Sequence, residues 1–406
     1  MHRALFPAFD KQDDIFSRAF SVLHEAISQR AFPAASIAVT LNSELRALKS
    51  FGSLVYEANP EVPKTNPEGA PLLAGFARSG SFDNARSDVL SPATLFDVAS
   101  LTKPVATTTM TAILYQRGLL ELDAPIIGTL PEFGSASDPR RSEVTSRMLL
   151  AHSSGLPAYE KLFLKAHSRD ELLQSALQTP LTANPATRAE YSDLGFILLG
   201  FALERLSGEP LDVFCQREIF GPLAMSNTTF NPPEGIRNRI PPTADERVDA
   251  IPGQGTAVRS TFRNRIIQGE VQDENASVLG GVAGHAGLFS TAEDLAKFAY
   301  AMLQGGAPIL RPETVALFTR RQSAPAGTSR ALGWDTPSNP SQSGKYFGPN
   351  SYGHLGYTGT SLWIDPDRQL SITLLTNRTW PDCSNQAIKQ VRPQFHDAII
   401  EALIRV

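Results

Sequence analysis

The chemistry of this chain rests on a few polar residues at short spacings. Ser100-Leu101-Thr102-Lys103 is an S-x-x-K tetrapeptide, and of nine lysines only Lys103 has a serine three positions before it. On a helix, residues i and i+3 share a face, so the amine reaches the hydroxyl. A serine at a helix start also feels the positive end of the dipole, which favours an alkoxide-like nucleophile. Pro104 suits a first helical turn, where its missing N–H is no loss. A lysine in a buried pocket sheds its proton more readily and can act as base. The pair points to nucleophilic catalysis through an acylated serine, although the tetrapeptide alone is common and carries little weight.

Two further segments add to it. Tyr191-Ser192-Asp193 precedes an apolar run at 194–206, and Tyr191 is the only tyrosine with Asn or Asp two residues later. A phenol beside an ammonium can serve as general base. The plainer alternative is a packed tyrosine at a helix start with Asp193 as N-cap. The third segment is Gly353-His354-Leu355-Gly356-Tyr357-Thr358-Gly359, just before a β-rich run at 361–365. Glycines flanking a strand let a substrate backbone come close, and N–H groups there can form half of an oxyanion hole. Its plainer alternative is a Gly-rich hairpin.

Other chemistries find no support. There is no G-x-S-x-G elbow, H-E-x-x-H pair or P-loop. Gly280, Gly281, Gly284 and Gly287 do not fit a dinucleotide fingerprint. Cys215 and Cys383 are too far apart and too few for a disulfide scaffold or a Cys-rich zinc site. The seven histidines show no ligand spacing, so no metal or other cofactor is expected. A formal net charge of -4 argues against nucleic acid or anionic membrane as partner. No run of 18 apolar residues and no signal-peptide pattern is seen, so a soluble, cytoplasmic protein is expected.

The elements that position these residues follow from periodicity. A helix is predicted over 16–27, then a hairpin with strands at 35–40 and 45–55 around Asn42-Ser43. Residues 57–92 read as an irregular excursion. Helices are predicted at 105–119, 146–151, 170–177, 194–206 and 211–220, and a long loop region at 230–270. Thr291 starts an amphipathic helix to 303. Residues 321–350 read as loop, 361–365 and 370–376 as strands, and 385–406 as a helix broken or kinked at Pro393. This order predicts an α+β fold: an antiparallel sheet flanked by N- and C-terminal helices, with a mostly helical lobe inserted. The sheet unit takes 10–95 and 286–406, and the helical lobe takes 96–285.

The three segments, in this order, resemble those of the serine β-lactamase and penicillin-binding-protein superfamily, in its class C-type branch of esterases, DD-peptidases and amidases. Its motifs are S-x-x-K, Y-x-N and K-T-G or H-x-G. Residues 96–99, 148–157, 280–290 and 358–365 look similar too, so the likeness spans about 15–400. It implies a β-lactamase/transpeptidase-like fold. Ser100 would be the acylated nucleophile and Lys103 its activator. Tyr191 would be the base for acylation and would activate water for deacylation. The amides of Ser100 and Tyr357 would form the oxyanion hole. His354 would take the place of the third-motif lysine, near the substrate's carboxylate or leaving group. Asp193, Gly356 and Thr358 would contact substrate.

Three departures matter. A neutral His354 is a weaker carboxylate partner than an ammonium. Leu355 removes a hydroxyl usual in the family. Asp193 stands where Asn is usual and cannot donate a hydrogen bond when ionised. An Asp193–Lys103 pair would keep Lys103 charged and leave Tyr191 as base. His152 and His285 read as structural. Asp273-Glu274-Asn275 reads as a substrate loop or a helix start. Arg247, Arg259, Arg263 and Arg265 read as surface charge or as an anion site. The 273–275 loop with the following glycines also resembles amidases that cut the muramyl–peptide bond. The resulting expectation is a serine hydrolase that forms an acyl-enzyme on a small ester, amide or peptide-like substrate. The alternatives are a DD-peptidase or β-lactamase, and a non-catalytic sensor or scaffold.

Overall fold

The computed structural model describes residues 5–56, 90–248 and 260–404. The excursion expected from residue 57 lies almost wholly outside the described residues, as does Arg259. Among the described residues, one sheet runs in the order Phe6–Pro7, Glu44–Gly52, Ala34–Leu41, Leu370–Thr376, Ser361–Asp365, Tyr352–Leu355. Every neighbouring pair is antiparallel except Phe6–Pro7 with Glu44–Gly52. The hairpin turn falls at Asn42-Ser43, both at positive φ, which matches the right-handed twist of the strands.

Side chains alternate across this sheet as the pleat requires. Ile37, Val39, Trp363, Ile372 and Leu374 pack with helices Ser17–Ser28 and Ile388–Ile404. Ala38, Leu362, Ile364 and Leu375 belong to a second core with helix Ala292–Leu303. Thr291 caps that last helix, its hydroxyl accepting from Asp294 N–H, as the sequence predicts. Helices Ser146–Leu150, Arg169–Gln178 and Asp193–Ser207 also fall where periodicity places them. The architecture is α+β, with an antiparallel-dominated sheet between helices.

Some elements depart from expectation. Phe96–Asp97, Leu288–Ser290 and Thr229–Phe230 form a small sheet. Two or three residues carry no periodicity, so the sequence cannot announce them. Tyr352–Leu355 is an edge strand, not merely a glycine-rich approach to one. A Cβ on Gly353 would stand 2.4 Å from the Trp363 ring, so only glycine fits this pairing. The C-terminal helix is not broken at Pro393 but runs from Ile388 to Ile404. Pro393 deprives the Lys389 carbonyl of its helical donor, and Gln342 Nε2 supplies one at 3.0 Å. Among the described residues, no helix is long and apolar enough to cross a membrane.

His396 ties the C-terminal helix to the sheet. It is fully buried; its Nδ1 donates to Ser343 O at 3.1 Å and its Nε2 accepts from Ser361 Oγ at 3.1 Å. Burial pushes its pKa down to about 3. The unfolded chain takes up this proton near pH 6.5 and the folded chain only near 3. Stability from this group is therefore complete above about pH 6.5 and falls on acidification, by about 1.4 kcal/mol per pH unit. Urea unfolding of His396→Gln between pH 7 and 4 is expected to show a shallower fall than wild type, by one proton. An unchanged slope would contradict this role.

Candidate active site

The short strand Phe96–Asp97 leads into a strained turn. Ala99 sits at φ 48°, a left-handed conformation uncommon for a residue with a Cβ. Asp97 holds it: Oδ1 accepts Ala99 N–H at 2.8 Å and Oδ2 accepts Gln272 N–H at 2.7 Å. Burial pushes the Asp97 carboxyl up to about 6. Ser100 follows in a tight 3₁₀ turn, and the helix then passes through wide π turns at 103–108 before running on to Gln116. Ser100 and Lys103 still meet, with Nζ donating to Oγ at 3.0 Å.

Lys103 is fully buried. Its other two protons go to Asp193 Oδ1 at 2.6 Å and His285 O at 3.0 Å. All three ammonium donors are thus satisfied. Burial pulls its pKa down, but Asp193 and Tyr191 outweigh burial, so the net shift is upward and Lys103 stays charged. Gly284 makes this possible. A Cβ there would stand 2.1 Å from Phe196 O, so glycine lets the 283–286 segment press against helix Asp193–Ser207 and bring His285 O to the ammonium.

Tyr191 lies over this group, with Nζ 4.9 Å from its ring centre. Burial raises its pKa; Lys103 opposes this and Asp193 adds to it, so the phenol is neutral at rest. The N-cap of the following helix is Ser192, whose Oγ accepts from Gly195 N–H, and not Asp193. Asp193 is thereby free to turn toward Lys103. His152 clamps the segment. Its ring lies 4.5 Å from that of Tyr191, its Nδ1 accepts Ser192 N–H at 3.0 Å, and its carbonyl accepts Glu190 N–H at 2.8 Å. Burial, with Arg330 and Lys103 nearby, keeps His152 neutral, so Nδ1 retains its lone pair.

His354 is 6.0 Å from the Tyr191 ring, centre to centre. Burial, Lys103 and Arg330 hold its pKa well below the ordinary value. Its Nδ1–H donates to Leu355 O at 2.8 Å, so its buried Nε2 carries a lone pair and has no partner among the described residues. This imidazole can accept a hydrogen bond but cannot pair with a carboxylate. Gly356 and the half-exposed Tyr357 line the same cleft. Thr358 does not touch substrate space: it is fully buried and its hydroxyl donates to Asp97 O at 2.8 Å. Thr360 similarly donates to Val98 O at 3.0 Å. These two bonds lock the third segment to the serine turn. Among the described residues, the N–H groups of Ser100 and Tyr357 have no protein acceptor.

The cleft has a volume of about 960 Å³. Asp273 caps helix Glu274–Val278 and meets His285 Nε2 at 2.8 Å, while Asn275 holds residues 160 and 163 through its side chain. Glu274 lines the cleft, and burial raises its pKa. Three described arginines of the 230–270 region are held in ion pairs, two of them with carboxylates of the cleft wall, Asp245 and Glu246. Arg263 is buried in a pair with Glu246, Arg247 pairs with Asp245, and Arg265 pairs with Glu270. Sequence reasoning missed Arg330, Arg378 and Arg392, which do line the cleft, and the Phe163–Phe262 pair with rings 4.9 Å apart. Arg330 sits in a stretch without periodicity, where an arginine reads as solvated surface.

Residues 10–392 match the family model described as Beta-lactamase. The chain is 36% identical over 310 residues to the N-acetylmuramyl-L-alanine amidase of Bacillus subtilis, covering 70% of this chain and 68% of that one. It is 34% identical over 304 residues to a protein of Escherichia coli K12 named "Putative D-alanyl-D-alanine carboxypeptidase", covering 70% and 69%. EstCE1, a hydrolase with promiscuous acyltransferase activity, shares the fold at a TM-score of 0.70 and 19% identity, over 96% of this chain and 99% of its own. The chain belongs to the beta-lactamase family, within the serine β-lactamase and penicillin-binding-protein superfamily. It is a serine hydrolase of ester or amide bonds.

The clamp on Tyr191 has a measurable consequence. His152→Leu removes the acceptor for Ser192 N–H and is expected to lower kcat roughly 10- to 100-fold, the scale of a misplaced reacting group. His152→Asn keeps a short acceptor and is expected to recover most of that loss at similar thermal stability. Wild-type kcat in His152→Leu would refute the clamp.

Proposed function

We propose that Ser100 is the acylated nucleophile, with Lys103 and Tyr191 handling its proton and the amides of Ser100 and Tyr357 receiving the oxyanion. The 3.0 Å contact between the Ser100 hydroxyl and a fully buried ammonium, in the wall of an open cleft, carries this reading. Ser100 Oγ attacks the carbonyl carbon, and negative charge gathers on the carbonyl oxygen. Tyr191 takes the Ser100 proton on Oη while passing its own proton to the leaving atom. This relay suits a neutral phenol and needs no preformed phenolate. The Lys103 ammonium stabilises charge building on Oγ and Oη. Water then reverses the relay and frees the acyl group.

The substrate we favour is the amide bond of a muramyl-peptide cell-wall fragment, met in the cytoplasm. Two observations support it: the relationship to the Bacillus subtilis amidase, and a His354 whose buried Nε2 carries a lone pair with no partner among the described residues. A lone pair suits a leaving group carrying N–H. The second reading, a carboxypeptidase or β-lactamase, draws on Arg330. That cation lies in the cleft wall, 5.3 Å over the Tyr191 ring, and would replace the missing lysine for a substrate carboxylate. The division into a sheet unit (10–95 with 286–406) and a helical lobe (96–285) remains part of our proposal. It is supported by a sheet whose strands come from residues 6–52 and 352–376.

Intact mass after treatment with a fluorophosphonate, and separately a penicillin, tests both readings. The expected result is a fluorophosphonate adduct lost in Ser100→Ala, no penicillin adduct, and release of peptide from muramyl-peptides. Penicillin adducts that Arg330→Ala abolishes would put the second reading first. No adduct with either reagent would remove Ser100 from its role.

A further inference from the structure

Arg392 projects from the C-terminal helix and is 6% exposed. Its neighbourhood is unusual for a buried cation. Nε donates to Gly359 O at 3.1 Å, and Nη2 donates to Gly356 O at 2.7 Å and Thr360 O at 3.2 Å. Every one of these acceptors is a neutral backbone carbonyl of the turn that carries Tyr357. Burial, and after it the neighbouring cation Arg378, push its pKa down to about 9. Among the described residues it has no counter-ion, and a buried charge without one is costly. A neutral side chain would hold the helix to the turn more cheaply, so the charge itself needs a reason.

The Gly356 carbonyl supplies one. It belongs to the same peptide unit as the Tyr357 N–H. A cation hydrogen-bonded to an amide oxygen draws electron density from the nitrogen and makes its N–H a stronger donor. We infer that Arg392 is a positioning residue that polarises the Gly356–Tyr357 peptide and so strengthens the oxyanion hole from behind. This rests on the reading that Tyr357 N–H is an oxyanion donor. Arg378 fixes the far side of the same residue. Its Nε donates to Tyr357 O at 2.7 Å and its guanidinium lies 4.4 Å from the Tyr357 ring. The 356–360 turn is therefore gripped by two arginines from the C-terminal part of the chain, and only Arg392 touches the peptide whose N–H faces the reaction.

The effect belongs to the transition state, so it separates from packing. Arg392→Met removes the charge and keeps bulk. Arg392→Lys keeps the charge and loses the fork. Arg392→Met is expected to lower kcat roughly tenfold, a fraction of the 10²–10³ for loss of a whole oxyanion donor, with KM within twofold of wild type. Affinity for a phenylboronic acid, which presents a tetrahedral oxygen to the hole, should fall by the same factor. The acyl-enzyme carbonyl stretch, read by isotope-edited infrared difference spectra, should move to higher frequency. Melting temperature should hold or rise, because an unpaired buried charge is gone. Arg392→Lys should fall between, and it carries the test if the methionine variant does not fold. Unchanged boronate affinity and carbonyl frequency in a folded variant would overturn the inference, as would a loss of stability with KM and kcat worsening together. Fluorophosphonate labelling of the wild type separates the two levels. No label on Ser100 brings down the underlying reading, whereas a labelled Ser100 with an indifferent Arg392 brings down only this inference.

Discussion

The site depends on keeping the Lys103 ammonium charged in a place from which water is excluded. Removing such a group from water costs several kcal/mol, and three acceptors from three separate segments offset this. Ser100 Oγ comes from the helix itself, Asp193 from the start of another helix, and the His285 carbonyl from the glycine-rich segment. Losing any one acceptor would leave a buried donor unmet. The ammonium is thus both the electrostatic centre of the site and the constraint that fixes how three segments meet.

Much of the surrounding structure serves that meeting. Ser192 takes over the N-cap, which releases Asp193 toward Lys103. His152 fixes the two backbone neighbours of Tyr191 and stays neutral because it is buried. Thr358 and Thr360 join the third segment to the strained turn before Ser100, so the two segments are held as one body. Strain at Ala99 persists because Asp97 holds its N–H. Some of these ties are local, such as Asp97 with Ala99, and others join residues distant in sequence, such as His152 with Ser192 and Thr358 with Asp97. The site is therefore as rigid as the core that carries it, a precondition for oxyanion stabilisation by fixed dipoles.

At the third segment His354 offers a lone pair and no charge, because burial keeps the ring neutral and Leu355 O takes its proton. Positive charge near this segment comes from Arg330 in the cleft wall and from Arg378 and Arg392, which hydrogen-bond the carbonyls of the 356–360 turn. Residues outside the motifs thus add to the field that Lys103 and Asp193 set.

The sequence by itself determined the elements with long periodicity and the chemistry with local spacing. The run after Tyr191 and the strands Ser361–Asp365 and Leu370–Thr376 were legible as short apolar runs of almost wholly buried residues, and the capped helix after Thr291 by its amphipathic period. Ser100 and Lys103 were legible because three residues on a helix fix their separation. The tertiary structure alone decided the rest. Two-residue strands such as Phe96–Asp97 have no period, and the edge strand at 352–355 shows only as glycine and histidine. Thr358 looked like a substrate contact until Asp97, 261 positions away in sequence, was seen to accept its hydroxyl. Arg392 meets the Gly356 carbonyl across 36 residues, and an arginine before a proline gives no local sign of it. Spacing within a few residues is fixed by backbone geometry, whereas contacts between segments are fixed only when the core closes.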